Sequence, residues 1–164
     1  MKRILFIIST IFLVSCSNET IDMSAVGTWK LTGYNVSNGF DLNNDGIKSL
    51  NLLNEFECEN HETLTFELNG VVSSTETFNP EVDVILIDEA TNEYAFNVVC
   101  DIEGVIGFAS NYSQNGEIVT YNNKNATIIG NELSVVFEDA IKIYNSDSTQ
   151  VVSTENLTLV YTKQ

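Results

Sequence analysis

The stretch TLTFELNGVVSSTETF, residues 63–78, holds the clearest structural signal in the chain. From Thr63 to Leu68, apolar and polar residues alternate, which is the period of a strand with one buried face. Asn69-Gly70 then separates this run from Val71–Phe78. An Asn-Gly pair between two such runs is typical of a type I′ hairpin turn, because that turn needs φ > 0 at both central residues. The stretch therefore predicts an antiparallel β-hairpin.

The same signal recurs along the rest of the chain. Asn115-Gly116 separates Val105–Ser113 from Glu117–Tyr121, and the other strand-like runs are rich in Val, Ile, Thr, Tyr and Phe. Those runs are Thr28–Val36, Val82–Ile87, Tyr94–Ile102, Ala126–Ile129, Leu133–Phe137, Ile141–Tyr144 and Asn156–Thr162. Many short strands joined by hairpins indicate a closed barrel or a sandwich. Their meander order favours an all-β, antiparallel up-and-down β-barrel of about 8–10 strands.

Helix signals are confined to one segment. Apolar residues recur at helical spacing in Ile47–Glu57. We expect one or two helical turns there, and therefore at most one short helix in the protein.

The N-terminus has the features of an export signal. Lys2-Arg3 precedes the apolar run Ile4–Val14, whose 11 residues are too few to cross a bilayer as a helix. Such a run fits the h-region of a secretory signal peptide. The following Leu13-Val14-Ser15-Cys16 resembles the lipobox of bacterial lipoproteins. The alternative is an ordinary secretory signal followed by an incidental cysteine.

The lipobox resemblance implies cleavage before Cys16 and attachment of lipid to that residue. It divides the chain into a signal peptide (residues 1–15), a lipidated tether (residues 16–24) and one barrel domain (residues 25–164). The protein would be exported and anchored to the bacterial outer membrane through the lipid on Cys16, on its periplasmic or its surface face. Several acyl chains on one residue hold a protein at a membrane far more firmly than a single chain does.

The charge of the chain excludes nucleic acid as a partner. Its 7 Lys and Arg stand against 23 Asp and Glu, for a formal net charge of −16. A mature chain without Lys2 and Arg3 keeps all 23 acids and reaches −18. Phosphate binding relies on clusters of Lys and Arg, which this chain lacks. The negative charge favours solubility and weak self-association, so we expect a monomer.

Two cysteines remain once Cys16 carries lipid. In an exported protein, Cys58 and Cys100 are expected to form a disulfide. The alternatives are two free thiols or a thiol site with a nearby base, for which His61 is the single histidine available.

An acidic loop carries the pattern of a calcium site. Alternating oxygen ligands around a tight turn suit a hard cation, and here they occupy positions 1, 3, 5 and 7 of a calcium loop with Gly46 at the turn. The candidate ligands are Asp41, Asn43, Asp45, the carbonyl of Ile47, and Glu55 from the following segment. Position 12 holds Leu52 instead of the bidentate Glu of an EF-hand. The alternative is a polar turn without metal, because Asn, Asp and Gly dominate turns for backbone reasons alone.

The first predicted strand opens with Val26-Gly27-Thr28-Trp29, which resembles the Gly-x-Trp signature of the lipocalin barrel. In that family the Trp plugs the closed end of the barrel and packs against a basic residue near the last strand. The resemblance therefore implies that Gly27, Trp29 and Lys163 close the barrel. It also implies a cup that holds a small apolar ligand, and it is closest to the lipocalin-like lipoproteins of Gram-negative bacteria.

No residue pattern indicates an enzyme. The sequence has no nucleophile elbow, phosphate loop, dinucleotide fingerprint or zinc-ligand spacing. With 23 acids, some carboxylate pairs meet glycosidase geometry by chance. We expect a lipid-anchored cell-envelope lipoprotein whose barrel binds or carries a small apolar ligand. The alternative is a structural or protein-interaction module of the outer membrane with a filled barrel and no ligand.

Overall fold

The computed structural model describes residues 24–100 and 107–164. These residues form eleven β-strands and one short 3₁₀ helix, Leu52–Asn54. The strands are β1 (Gly27–Phe40), β2 (Ser49–Asn51), β3 (Thr63–Phe66), β4 (Val71–Ser74), β5 (Glu81–Asp88), β6 (Glu93–Val99), β7 (Phe108–Asn115), β8 (Ile118–Tyr121), β9 (Lys124–Ile129), β10 (Glu132–Tyr144) and β11 (Val151–Lys163). Parts of two predicted strands, after Cys100 and before Gly107, fall outside the described residues.

Eight of the strands close into an antiparallel barrel. Their order around the ring is β1, β3, β4, β7, β8, β9, β10 and β11, and β11 pairs back with β1. This confirms the predicted all-β, antiparallel barrel and sets the number of its strands at eight. A small barrel of this kind is compatible with a lipocalin-like fold. Closure leaves the ring without a free edge.

The chain departs from a strict meander between β4 and β7. There it forms the hairpin β5–β6, which lies outside the ring and joins it by parallel pairing of Val84 with Ile143 of β10. The strands β10 and β11 have 13 residues each and extend beyond the ring. The extended part of β10 therefore has a free edge with which β5 pairs. The two strands predicted within 133–144 are therefore one strand, interrupted near Asp139, where φ is +53°.

The two Asn-Gly pairs mark hairpin turns as predicted, but neither forms the predicted type I′ turn. Of the pair at 69–70, only Gly70 has positive φ, and its N–H donates to the carbonyl of Glu67 at 3.1 Å. At the second site Asn115 still belongs to β7, and Gly116 is the first residue of the loop. Two consecutive positive φ angles occur instead at Asn122 and Asn123, between β8 and β9.

The predicted helix over Ile47–Glu57 is reduced to the single 3₁₀ turn, preceded by β2. Ile47 and Leu50 are 69% and 58% exposed, so their helical spacing marks no buried face. The Asn51 side chain also bonds the backbone locally: its Oδ1 accepts from Leu53 N–H and from Tyr34 N–H of β1. Side-chain bonds of this kind compete with helical hydrogen bonds.

The core fills the barrel interior and continues under the β5–β6 hairpin. The fully buried side chains are contributed by six of the ring strands, by β5 and by the 3₁₀ turn. They include Trp29, Leu31, Phe40, Leu52, Leu64, Phe66, Val72, Val84, Val119, Ala126, Leu133 and Val135.

Candidate ligand-binding site

The end of the barrel where β1 begins is closed by residues from both ends of the domain. The buried Trp29 side chain donates its Nε1–H to the carbonyl of Ala25 at 2.7 Å. Lys163 Nζ lies 5.2 Å from the centroid of the Trp29 ring and donates to the carbonyl of Ser24 at 2.7 Å. Gly27 leaves room for this crossing, because a Cβ there would lie 3.1 Å from Lys163 Cε. The structure thus brings the three predicted barrel-closing residues together.

A buried carboxylate lies deeper in the interior, just before β3. Glu62 is only 2% exposed. Its Oε1 accepts from the Tyr161 hydroxyl at 2.6 Å, and its Oε2 accepts from Phe78 N–H at 2.8 Å. Burial raises the pKa of the Glu62 carboxyl above its ordinary value, and these two hydrogen bonds oppose that shift. The bonds satisfy a group that would otherwise destabilise the interior strongly.

A cavity opens at the other end of the barrel, which we call the mouth. It measures about 320 Å³. Inward-facing side chains of β1, β10 and β11 form one wall, and the segment from Thr77 to Val82 forms the other. The lining residues are Tyr34, Thr77, Phe78, Asn79, Pro80, Val82, Phe137, Ala140, Ile141, Leu157 and Leu159. Most of this lining is apolar, with a few polar groups, as in small-molecule sites generally.

Aromatic contacts and the buried carboxylate fix the walls of the mouth cavity. The Tyr34 ring makes edge contacts with Phe56 and Phe78, with centroids 5.5 and 5.9 Å apart. Phe78 is also held through its backbone by Glu62. Burial, and secondarily the charge of Glu62, raises the pKa of the Tyr34 hydroxyl to about 12.

Sequence reasoning did not identify Glu62, Tyr34 or Phe78 as site residues. Glu62 follows several other acids, and its local sequence resembles that of a solvated loop. The burial of Tyr161 could have been predicted, because Tyr161 continues the alternation of Leu157 and Leu159 along the last strand.

The acidic loop is folded by its own side chains. Asp41 accepts from the N–H groups of Asp45 and Gly46, both at 2.9 Å, through its two carboxylate oxygens. Asn43 accepts from Asp45 N–H at 3.0 Å, and Asp45 accepts from Ile47 N–H at 2.8 Å. These are the bonds of a tight polar turn.

Glu55, the fifth candidate calcium ligand, reaches the start of the same loop. It is buried, and its Oε2 accepts from Leu42 N–H at 3.1 Å. Across residues 24–100 and 107–164, no group of three or more His, Cys, Asp or Glu side chains is arranged to hold a metal ion.

The predicted disulfide between Cys58 and Cys100 is confirmed. It joins the segment after the 3₁₀ turn to the end of β6. The nearby His61 is exposed and pairs with Glu59 at 3.1 Å.

The predicted signal peptide, lipobox and lipidated Cys16 lie outside the described residues. Within the described ranges, the structure contains no helix of the length and apolarity needed to span a membrane.

Comparison with known proteins gives no relative from which the role of the site could be inferred. No protein-family model, no curated protein and no solved structure matches this chain.

Proposed function

We propose that this protein is a lipid-anchored binding protein of the bacterial cell envelope, whose barrel mouth holds a small, mainly apolar molecule. The mouth cavity carries this proposal. Its volume of about 320 Å³ falls at the lower end of the range of small-molecule sites. Its apolar walls, from β10 and β11 on one side and Phe78–Val82 on the other, bury a ligand that water solvates poorly.

The filled interior is the reason why we propose a ligand site at the mouth and not at the centre of the barrel. Trp29, Leu31, Leu64 and Phe66 are fully buried and occupy the interior near the closed end. Phe66 also packs edge-on against Tyr121 with centroids 5.6 Å apart. The proposed ligand therefore contacts the side chains that line the mouth cavity, which include Leu157 and Leu159.

The proposed anchor is at the opposite end. Ser24 lies at the closed end, where Lys163 holds its carbonyl. Cys16 precedes Ser24 by eight residues, a length of chain that reaches at most about 28 Å when fully extended. We infer that lipid on Cys16 keeps the closed end near the membrane and directs the mouth away from it.

Binding of a neutral fluorescent probe tests the ligand site. N-phenyl-naphthylamine is titrated into the mature protein, and energy transfer from Trp29, the single tryptophan, reports the bound probe. Leu159→Phe narrows the cavity and is expected to weaken probe binding about 10-fold or more, since a ligand cannot share the volume of the added ring. The control is Val136→Phe, on the exposed face of β10.

Equal binding by the wild type and Leu159→Phe would contradict the ligand site. It would favour a structural or protein-interaction module, for which the packed interior around Trp29 is the supporting observation.

A separate measurement tests the anchor. The mass of the N-terminal fragment of protein purified from membranes should show cleavage before Cys16 and the added mass of acyl chains. Cys16→Ser should move the protein into the soluble fraction. An unmodified cysteine would overturn the anchor and leave the ligand site untouched.

A further inference from the structure

The polar groups of the mouth cavity are few and uncharged. Tyr34, Thr77 and Asn79 contribute them, and the lining contains no Lys, Arg, His, Asp or Glu. No hydrogen bond among the described residues uses the Tyr34 hydroxyl, although the Tyr34 backbone N–H donates to Asn51 Oδ1 at 2.9 Å. Tyr34 thus lines the cavity and carries a hydroxyl group whose donor capacity is not used within the described residues.

The Tyr34 hydroxyl has a fixed ring position and keeps the proton that a hydrogen-bond donor needs. Its ring is fixed by the edge contacts with Phe56 and Phe78. Because the pKa of this hydroxyl is raised to about 12, it keeps its proton across the physiological range. A donor whose position is already fixed loses little entropy when a ligand accepts its hydrogen bond.

The surroundings disfavour an anionic ligand. Glu62 lies behind the wall that contains Phe78. The Tyr161 hydroxyl and the Phe78 N–H both donate to Glu62, so neither is available to an anionic ligand. A carboxylate in the cavity would lose its hydration without a cation to replace it. Lys124 approaches the opposite wall, where its Nζ lies 4.6 Å from the centroid of the Phe137 ring, but Lys124 is not part of the lining.

We infer that the mouth cavity selects uncharged apolar molecules that carry a hydrogen-bond acceptor, and that the Tyr34 hydroxyl donates to this acceptor. The inference rests on the proposed ligand site and narrows its ligand class. Ketones, esters and alcohols with an apolar body fit this description, whereas fatty-acid carboxylates do not.

Competition against N-phenyl-naphthylamine tests this selectivity on the mature protein. The competitors are a medium-chain methyl ketone, the alkane of equal length and the matching fatty acid, at about pH 8, where the acid is ionised. The ketone is expected to displace the probe at a concentration about 10-fold or more below that of the carboxylate. Tyr34→Phe, which keeps the ring, should weaken the ketone about 3- to 10-fold and leave the alkane unchanged.

Three other results of this competition experiment would each contradict the inference or one part of it. Equal or tighter displacement by the carboxylate rules out the selectivity for uncharged ligands. An equal effect of Tyr34→Phe on ketone and alkane rules out the hydroxyl as donor, and Tyr144→Phe controls for the loss of a phenolic group elsewhere. Failure of the probe itself to bind overturns the ligand site and this inference together, whereas the first two outcomes leave the ligand site standing.

Discussion

The hydroxyl of Tyr161 donates to the buried carboxylate of Glu62 at 2.6 Å, across 99 positions of the chain. Tyr161 belongs to β11, and Glu62 immediately precedes β3. In the sheet, β1 lies between these two strands. The backbone carbonyl of Glu62 also accepts from Leu31 N–H of β1 at 3.1 Å. Glu62 therefore links three neighbouring strands, including the last strand to close the ring.

We expect Tyr161→Phe to lower the free energy of unfolding by about 1–3 kcal/mol, because it leaves a buried carboxylate oxygen without its donor. Urea unfolding measures the change. Tyr144→Phe is the matched control, since Tyr144 lies near the end of β10 and is only half-buried. Equal losses in the two variants would show that the bond to Glu62 stabilises nothing.

The pH dependence of stability should carry the signature of Glu62. Its pKa in the folded protein is raised above the ordinary value of 4.5. The folded state thus holds this proton more tightly than the unfolded state, so its contribution to stability is complete below pH 4.5 and is lost as pH rises through the raised pKa. Subtracting the unfolding curve of Glu62→Gln from that of the wild type should reveal this fall. Glu59→Gln, whose side chain is 87% exposed, is the control for the loss of a carboxylate at the surface.

Removal of the disulfide should destabilise the barrel without changing its fold. The bridge spans a sequence separation of 42, and the chain-entropy relation gives about 4 kcal/mol for a loop of that size. The double variant Cys58→Ser/Cys100→Ser is compared with the wild type in denaturant. The reduced wild type serves as control, because it loses the bond but keeps both sulfur atoms. A loss near zero would mean that the unfolded chain is already restricted in this region.

Replacement of Lys163 should loosen the closed end. Lys163→Met removes the cation above Trp29 and the hydrogen bond to the Ser24 carbonyl, with an expected loss of about 1–2 kcal/mol. Lys142→Met, on the exposed side of β10, is the control. Since Trp29 is the single tryptophan, its emission should shift to the red as water gains access. An unchanged spectrum would contradict the role of Lys163 in covering Trp29.

The acidic loop allows a prediction that separates turn from metal site. Asp41→Ala removes the acceptor of two backbone N–H groups and should cost about 1–2 kcal/mol in chelator. The same loss with calcium present would identify a turn only. A larger loss with calcium would identify a bound ion.

The sequence predicts the local features of the fold well. Both Asn-Gly pairs mark hairpin turns, because the conformational freedom of glycine at a turn is a local property. The turn types were wrong, since the register of the flanking strands decides which residues occupy the turn. Gly116, for example, opens the loop after Asn115 has already paired with Ile118.

Features set by distant contacts escaped prediction. The parallel pairing of Val84 with Ile143 has no signature in either strand, and it places β5–β6 outside the ring. Ile47 and Leu50 have helical spacing, yet both are exposed. Periodicity indicates a buried face only when another element covers it.

The candidate site was predictable only at its closed end. Gly27, Trp29 and Lys163 follow from the resemblance to lipocalins, and the structure places them together. Glu62 could not be distinguished from the exposed Glu59, because its burial depends on Tyr161 at the other end of the chain. The mouth cavity likewise depends on the segment Thr77–Val82 folding over strands whose lining residues follow it by 55 residues or more.

Native mass spectrometry of the protein purified gently from its own host tests the ligand site most directly. We predict an added mass on the order of a few hundred daltons, the size that a cavity at the small end of the ligand-site range admits. That mass should be lost on activation and absent from Leu159→Phe, and its fragmentation should give an uncharged molecule with an acceptor group. The bare disulfide-linked protein, with the same mass in the wild type and in Leu159→Phe apart from the substitution, would contradict the account.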